Sequence, residues 1–362
     1  MEQTLGHITH YRNLRATVDD DASVAPTWYP VTFPPRGTWE TLPVVRSNWS
    51  VRASWRARRL LQRDNAAGRL DALFFHTQVT TLLSAGLMQR VPTVISLDAT
   101  PINYDVVGAA YGHAPSSGPL EKVKRSLNKR TLHAASALVT WCAWARQSLI
   151  DDYDVEPSRI TVVAPGVDLA RWPRPSAARA GTNSPLRLLF VGADFERKGG
   201  AILLDAFEGL DDRYELHLVT KAAVDARPGV HVYRDLAPNS TVLKKLYAES
   251  DLFVLPTLAD CFPVAIQEAL AAGLPVVSTR MGAIPEAVRE GETGVLVPPG
   301  DGAALRAALL RLAHDAPLRR VMSARGRALA ESEYDSAANA RRILAVMTTA
   351  ARASRASAAK KT

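Results

Sequence analysis

At 362 residues with 47% hydrophobic content, the chain exceeds what one hydrophobic core usually organises, which predicts two globular domains and excludes a disordered protein. No apolar run is long enough to span a bilayer, MEQTLGHITH lacks the basic start and apolar middle of a secretory leader, and the two cysteines, Cys142 and Cys261, are too few for a disulfide framework or a cysteine zinc site, so a soluble cytoplasmic protein is expected. Residues 336–362 carry six of the eight net positive charges and no acid, which leaves the body at +2, and no nucleic-acid-binding module accompanies them, so nucleic acid is not an expected partner.

The opening stretch GHITHYRNLRATVD reads as a loop entering a helix, with only five residues before Gly6. The first strand that a parallel sheet wants is nearly absent there. A start upstream of Met1 is the favoured explanation, and a sheet completed in some unusual way is the other. Short β-branched or aromatic runs then alternate with helical patterns, at WYPVTF (28–33), ALFFHT (72–77), TVISLDA (93–99), ALVTW (137–141) and ITVVAP (160–165). Between the first two, WSVRASWRARRLLQR sets Arg52, Arg56, Arg58, Arg59 and Arg63 beside Trp49 and Trp55 on a helix whose apolar positions resolve into no single face. Docking on an anionic membrane surface is the minority reading of that cluster and of the basic tail; solvated helix surface is the main one.

Residues 166–185 break the pattern with Pro, Gly and Ala and form the best domain boundary. Strands resume at LRLLFVG (186–192), YELHLVT (214–220), VHVYRD (230–235), DLFVLPT (251–257), PVVST (275–279) and GVLVPP (294–299), with helices over 199–210 and STVLKKLYAES, N-capped by Ser240. Helices finish the chain from about Asp301. The predicted class is α/β, as two doubly wound domains with parallel sheets.

In such sheets ligands bind beyond the carboxyl ends of the strands, and polar residues recur there: Gly6, His7, His76, Thr77, Asp98 and Thr100 in the first half, then Gly192, Arg197, Lys198, Asp260, Glu268, Gly282 and Glu286. DCFPVAIQEALAAGLPVV places Asp260 in a loop and Glu268 on the helix that follows. The segment Cys261, Phe262, Pro263 and Val264 is that helix start, with Pro263 in the first turn and unsatisfied N–H donors over residues 262–265 for an anionic group. Lys198, Arg197 and the N–H groups of Gly199 and Gly200 suit a diphosphate, and the carboxylates suit hydroxyls. Cys261 packs rather than reacts, since no base is placed beside it.

These segments resemble the family 4 (group 1) retaining glycosyltransferases. The frame from Asp260 to Val277 is similar to the family's signature of two acids eight positions apart, with Asp260 on the first glutamate and Cys261 and Pro263 on two glycines. FVGADFERKGG resembles its phosphate-binding turn, with Ala193 where an arginine is usual; residues 137–345 carry most of the likeness, and LGHITH and SLDATP match a narrower set. The resemblance implies the GT-B fold, two facing Rossmann-like domains with an interdomain cleft. It divides the chain into an acceptor domain over 1–168, a nucleotide-sugar-binding domain over 169–335 and a helix over about 336–358 packing back on the first. It implies a retaining, metal-independent transfer of a hexosyl or related group from a nucleotide diphosphate sugar, as substrate rather than cofactor, to a hydroxyl acceptor on a lipid, polysaccharide or small metabolite. Glu268 would accept from the ribose, Asp260 would contact the transferred sugar and Lys198 would neutralise the departing diphosphate. Asp98 falls on the aspartate of a His-Asp pair whose histidine is Leu97 here, with His7 or His76 as substitutes.

Two rivals stand beside this reading: a nucleotide-sugar epimerase of the same fold, and a non-catalytic donor-binding subunit. Asp152 and Asp154 in DDYD end a polar helix and read as solvated, and no other cluster of histidine and carboxylate shows metal-ligand spacing, so no metal is expected.

Overall fold

The computed structural model describes residues 1–3, 7–32, 34, 40, 48–108, 118–172, 185–210 and 212–359. The chain divides into two compact units, one of Met1–Tyr104, Pro115–Pro165 and Ala337–Thr362, the other of Asp105–Ala114 and Gly166–Ser336.

The first unit holds β1 (Glu2–Gln3), α1 (His7–Val18), β2 (Val31–Thr32), α2 (Trp49–Ala66), β3 (Leu73–His76), β4 (Thr93–Leu97), α3 (Pro119–Ala134), β5 (Ala137–Thr140), α4 (Ala143–Asp151) and β6 (Ile160–Val162). Strands β3-β4-β5-β6 form a parallel sheet in chain order, while β1 pairs in parallel with β2 as a separate ribbon. The strand at the start of the described chain is thus a two-residue piece beside β2, outside the four-stranded sheet.

Because successive strand residues face opposite ways, the sheet feeds two cores. Ile95, Leu97 and Leu138 pack on one side with Ala53, Ala57 and Leu61 of α2. Val94, Val139 and Val163 pack on the other with Leu14 and Val18 of α1 and with Ala340 and Ile343 from the C-terminal helix.

The arginine-rich helix α2 explains its lack of a clean apolar face. Arg52 and Arg56, one turn apart, are 2% and 8% exposed. Arg56 forms an ion pair with the buried Glu40 and donates to the carbonyls of Thr32 and Pro34. Arg58, Arg59 and Arg63 remain on the surface, with the Arg59 guanidinium 5.3 Å from the Trp55 ring. Part of this basic cluster is therefore internal structure, where both readings of the sequence put it at the surface.

The second unit contains β7 (Leu186–Val191), α5 (Gly200–Phe207), β8 (Tyr214–Val219), β9 (Val230–Tyr233), α6 (Thr241–Glu249), β10 (Leu252–Leu255), α7 (Val264–Ala271), β11 (Val276–Thr279), β12 (Gly294–Val297), α8 (Gly302–His314) and α9 (Ala316–Glu333). Its six parallel strands run β12-β11-β10-β7-β8-β9. The chain winds outward from β7 to β9, returns to β10 on the other flank of β7 and winds out again to β12. Between β7 and β10 the loops leave the sheet in opposite directions, a topological switch point where such sheets bind ligands. Ser240 caps α6 as its sequence suggests, accepting from the N–H of Leu243 at 3.3 Å.

The last helix, α10 (Ser336–Ala359), returns to the first unit: Asn339 donates to Ala164 O at 3.0 Å and Arg342 to Val162 O at 2.9 Å. Arg355 pairs with Asp71 at 2.7 Å, so two basic residues of the tail have partners within the fold; Lys360 and Lys361 lie outside the described residues. Among the described residues no helix is long and apolar enough to cross a membrane.

Candidate active site

The strand β7 closes at Gly192, and the turn 193–199 then feeds α5. Its backbone is tightly self-bonded: Lys198 N donates to Asp194 O at 3.0 Å, Gly199 N to Glu196 O at 2.9 Å and Gly200 N to Phe195 O at 2.8 Å. The two glycine N–H groups expected to meet a diphosphate are therefore already engaged by the turn that shapes them. Gly199 is in the left-handed region (φ +76°), and a Cβ there would lie 1.9 Å from Pro256 O. Only glycine lets this turn lie against the end of β10. Gly192 is confined less severely, since a Cβ would come within 2.9 Å of the Phe190 ring and 3.0 Å of the Lys198 side chain.

The loop after β10 is stitched to that turn. Leu258 N donates to Arg197 O at 2.8 Å. Arg197, 6% exposed, donates from Nε to Asp194 at 2.9 Å and from Nη1 to Ala259 O at 2.7 Å. The residue is thus an internal brace between two loops, in place of a cation open to solvent. Lys198 beside it forms an ion pair with Asp260, their side chains 15% and 11% exposed. Strand order brings together two charges 62 positions apart in sequence: β7 and β10 are neighbours.

A third loop, after β11, joins the other two. Ala283 N donates to Cys261 O at 2.9 Å, and Gly282 (φ +52°) has no room for a side chain, because a Cβ would meet Asp260 O at 2.5 Å. Cys261, Phe262 and Val264 are buried, and the Phe262 ring packs edge-on to Tyr334, centroids 6.1 Å apart. Pro263 stands one position earlier than expected, as the N-cap of α7 with extended backbone (φ −70°, ψ 122°) and no side-chain cap on the helix. Its ring restrains φ without requiring the helical ψ, so the helix begins at Val264.

Glu268, in the second turn of α7, is 5% exposed. Its Oε2 accepts from the Tyr247 hydroxyl of α6 at 2.9 Å. Burial pushes the carboxyl up from the ordinary 4.5 to about 7, against the smaller downward pull of that hydrogen bond and of Lys244. Burial, and then the neighbouring carboxylate, hold the Tyr247 hydroxyl well above its usual range. The Trp172 indole N–H donates to Glu268 O at 2.9 Å and its ring lies 5.4 Å from that of Tyr247. Tyr247 and Trp172 carry no motif of their own, so the sequence does not mark them.

In the first unit the structure groups aromatic rings. His7 opens α1, His10 lies one turn on, His76 closes β3, and all three surround Trp141: the ring centroids of His7, His10 and His76 lie 5.1, 5.0 and 5.7 Å from it. Burial drives His10 down to about 3 and His76 well below its usual range, with the neighbouring histidines adding to the effect. His10 was legible in HITH, whose spacing of three puts both imidazoles on one helix face. Asp98 is half-buried after β4, its carbonyl 3.4 Å from the Cys142 sulfur. Gly6 lies outside the described residues. Asp154 pairs with Lys129 and Asp152 accepts from Ser148 at 2.6 Å, both in helix-terminal positions. Glu215, His217 and His231 meet across two strands, a juxtaposition that spacing along one segment cannot display.

Two parallel α/β domains, one with charged loops gathered at its switch point, define the class. Over 96% of this chain and 97% of the other, the fold matches HepE of Anabaena in complex with UDP-glucose, with TM-score 0.70 and 17% identity. It also matches sucrose-phosphate synthase from Thermosynechococcus elongatus, with TM-score 0.69 and 18% identity over 84% and 79% of the two chains. The architecture is that of GT-B glycosyltransferases.

The family follows from the sequence matches. Residues 185–315 match the model of "Glycosyl transferases group 1" and residues 16–171 that of "Glycosyltransferase Family 4", so the chain belongs to the group 1, family 4 glycosyltransferases. Curated relatives agree. Glycogen synthase of Mycobacterium tuberculosis is 29% identical over 315 residues, 80% of this chain and 71% of that protein. D-inositol 3-phosphate glycosyltransferase of Corynebacterium glutamicum is 30% identical over 211 residues, half of each chain.

Proposed function

We propose that this glycosyltransferase moves a hexosyl or related group from a nucleotide diphosphate sugar to a hydroxyl acceptor with retention of configuration, its donor held by the second unit. One observation carries the reading: Lys198 and Asp260 are joined at the switch point between β7 and β10, on the loop that leads to the buried Glu268. The named neighbours support it, since HepE binds UDP-glucose.

Lys198 supplies the positive charge for the diphosphate, Asp260 accepts from hydroxyls of the transferred sugar, and Glu268 accepts from the ribose. Arg197 is a positioning residue that fixes the two loops. In the reaction the bond from the anomeric carbon to the phosphate oxygen breaks and the acceptor oxygen bonds to the same face, while the acceptor proton passes to the departing phosphate. Lys198 stabilises the charge that develops there. No protein nucleophile is required, and positive charge at the diphosphate comes from the chain itself, which supports a metal-independent step.

The test follows donor consumption and donor binding separately in Lys198→Ala and Glu268→Ala, with the anomeric configuration of the product read by NMR. Losing a charge-assisted contact in Lys198→Ala should weaken binding by about 1.5–3 kcal/mol, roughly 10- to 150-fold. Turnover that survives both substitutions would refute the site. Inverted product would refute the stereochemistry, and donor conversion without acceptor would identify an epimerase.

A further inference from the structure

Away from the switch point, β8 and β9 carry chemistry that the glycosyl transfer does not use. Glu215 and His217 alternate along β8 and so share a face, and His231 of β9 stands directly opposite His217 in the parallel register. One carboxylate oxygen and one ring nitrogen from each imidazole lie within 4.8 Å of one another. The two imidazoles stack with centroids 4.8 Å apart.

The surroundings prepare these atoms for a cation. The His217 Nδ1 lies 3.0 Å from the Tyr233 hydroxyl, and its Nε2 faces Glu215 Oε2 at 3.4 Å. The imidazole can carry its proton on Nε2, donating to Glu215, or on Nδ1, donating to the Tyr233 hydroxyl; a cation selects the second tautomer, in which Nε2 offers a lone pair. The carboxylate oxygen that faces His217 also accepts from Arg187 Nε at 2.9 Å, which orients the carboxylate. The charge of Arg187, with Glu249 3.5 Å beyond it, keeps affinity below that of a closed cysteine site.

We propose that Glu215, His217 and His231 form a binding site for a late divalent transition metal, zinc being the natural occupant, which pins the edge strand β9 to β8. Two imidazoles and a carboxylate are a borderline-soft donor set that favours zinc over magnesium or calcium. Ligand bonds of about 2.0–2.2 Å require the three groups to close slightly; exposed His231 and half-buried Glu215 have that freedom. A fourth position is left for water. Glu215 and His231 are each the second residue of their strand, at the opposite edge from the loops after β7 and β10, so the ion fastens the sheet without touching the reacting groups.

The experiment uses the full chain without a histidine tag, stripped with chelator, and adds zinc, cobalt or magnesium. Zinc in hundredfold excess over its dissociation constant should raise the melting temperature by about 5 °C, magnesium should not, and cobalt should give visible absorption bands of tetrahedral nitrogen and oxygen ligation. His231→Ala, a surface change, should abolish the zinc shift; Glu215→Gln should remove or displace the cobalt bands if the alanine variant folds poorly. An equal zinc shift in wild type and His231→Ala, cobalt bands unaltered in Glu215→Gln, or no retained metal in wild type would overturn the proposal.

Discussion

Glu268 makes donor binding a proton-linked event. The free carboxyl titrates at about 7 because burial removes its water. A ribose that donates hydroxyl hydrogens to it replaces that water and favours the ionised form. With a free-state value of about 7 and the carboxylate held ionised by the bound ribose, binding should release roughly 0.9 proton at pH 6 and roughly 0.1 at pH 8, and affinity should tighten about tenfold between them. The assay is calorimetric titration in two buffers of different ionisation enthalpy at each pH, with whichever nucleotide diphosphate sugar raises the melting temperature. An intact diphosphate sugar is the right probe because its phosphates are diesters, without the terminal ionisation near 6 of a phosphomonoester. Glu268→Gln should bind more weakly and lose the pH dependence. Tyr247→Phe removes the hydrogen bond that lowers the carboxyl, so its proton-release profile should move alkaline by roughly one unit. Equal proton release at pH 6 and 8, or unchanged linkage in Glu268→Gln, would refute the reasoning.

Other predictions concern the scaffold. Gly199→Ala should cost about 3 kcal/mol or more, from a Cβ forced against Pro256 O, whereas Gly209→Ala, also at positive φ but with open space, should cost about 1 kcal/mol, as denaturant titration would show. His10 has a folded value of about 3 against 6.5, so its contribution is complete above 6.5 and is lost as pH falls toward 3: about 1.4 kcal/mol should be gone at pH 5.5, and His10→Leu should make the acid limb of stability against pH shallower. Glu40→Ala leaves the buried Arg56 charge without its carboxylate and should lower unfolding stability by about 3 kcal/mol, which Arg56→Met in the same background should partly restore.

Eleven of the twelve described strands were legible, most of them because parallel strands buried on both faces are short apolar runs; β1, two polar residues, had no such signal. The arginines of α2 misled for the converse reason, since the buried face of that helix includes Arg56 and its partner Glu40 lies in a separate segment. At the site, residue types could be read but not their pairing. Lys198 and Asp260 pointed separately to phosphate and hydroxyl; that they touch depends on β10 lying beside β7, which strand composition does not encode. Tyr247 and Trp172 were invisible because they act on Glu268 from other elements, and His231 meets His217 only across strands.

The energetics of the site before it binds anything make sense of its composition. A carboxyl raised from 4.5 to about 7 reduces stability as pH rises through that window, by up to about 3 kcal/mol once Glu268 is ionised. Core packing alone would favour a glutamine or an apolar residue there, and the same holds for a lysine kept 15% exposed against Asp260. Both costs are lessened by a ligand that brings hydroxyl donors to the acid and phosphate oxygens to the lysine. A fragment that supplies phosphate alone should therefore bind with much less than half the free energy of the whole donor, because it must open the ion pair without the sugar hydroxyls that would then satisfy Asp260. Comparing a nucleoside, an inorganic diphosphate and the joined nucleotide diphosphate sugar in one calorimetric series tests this directly: free energies of the fragments that sum to that of the whole would mean that Lys198 and Asp260 stay paired when the donor binds.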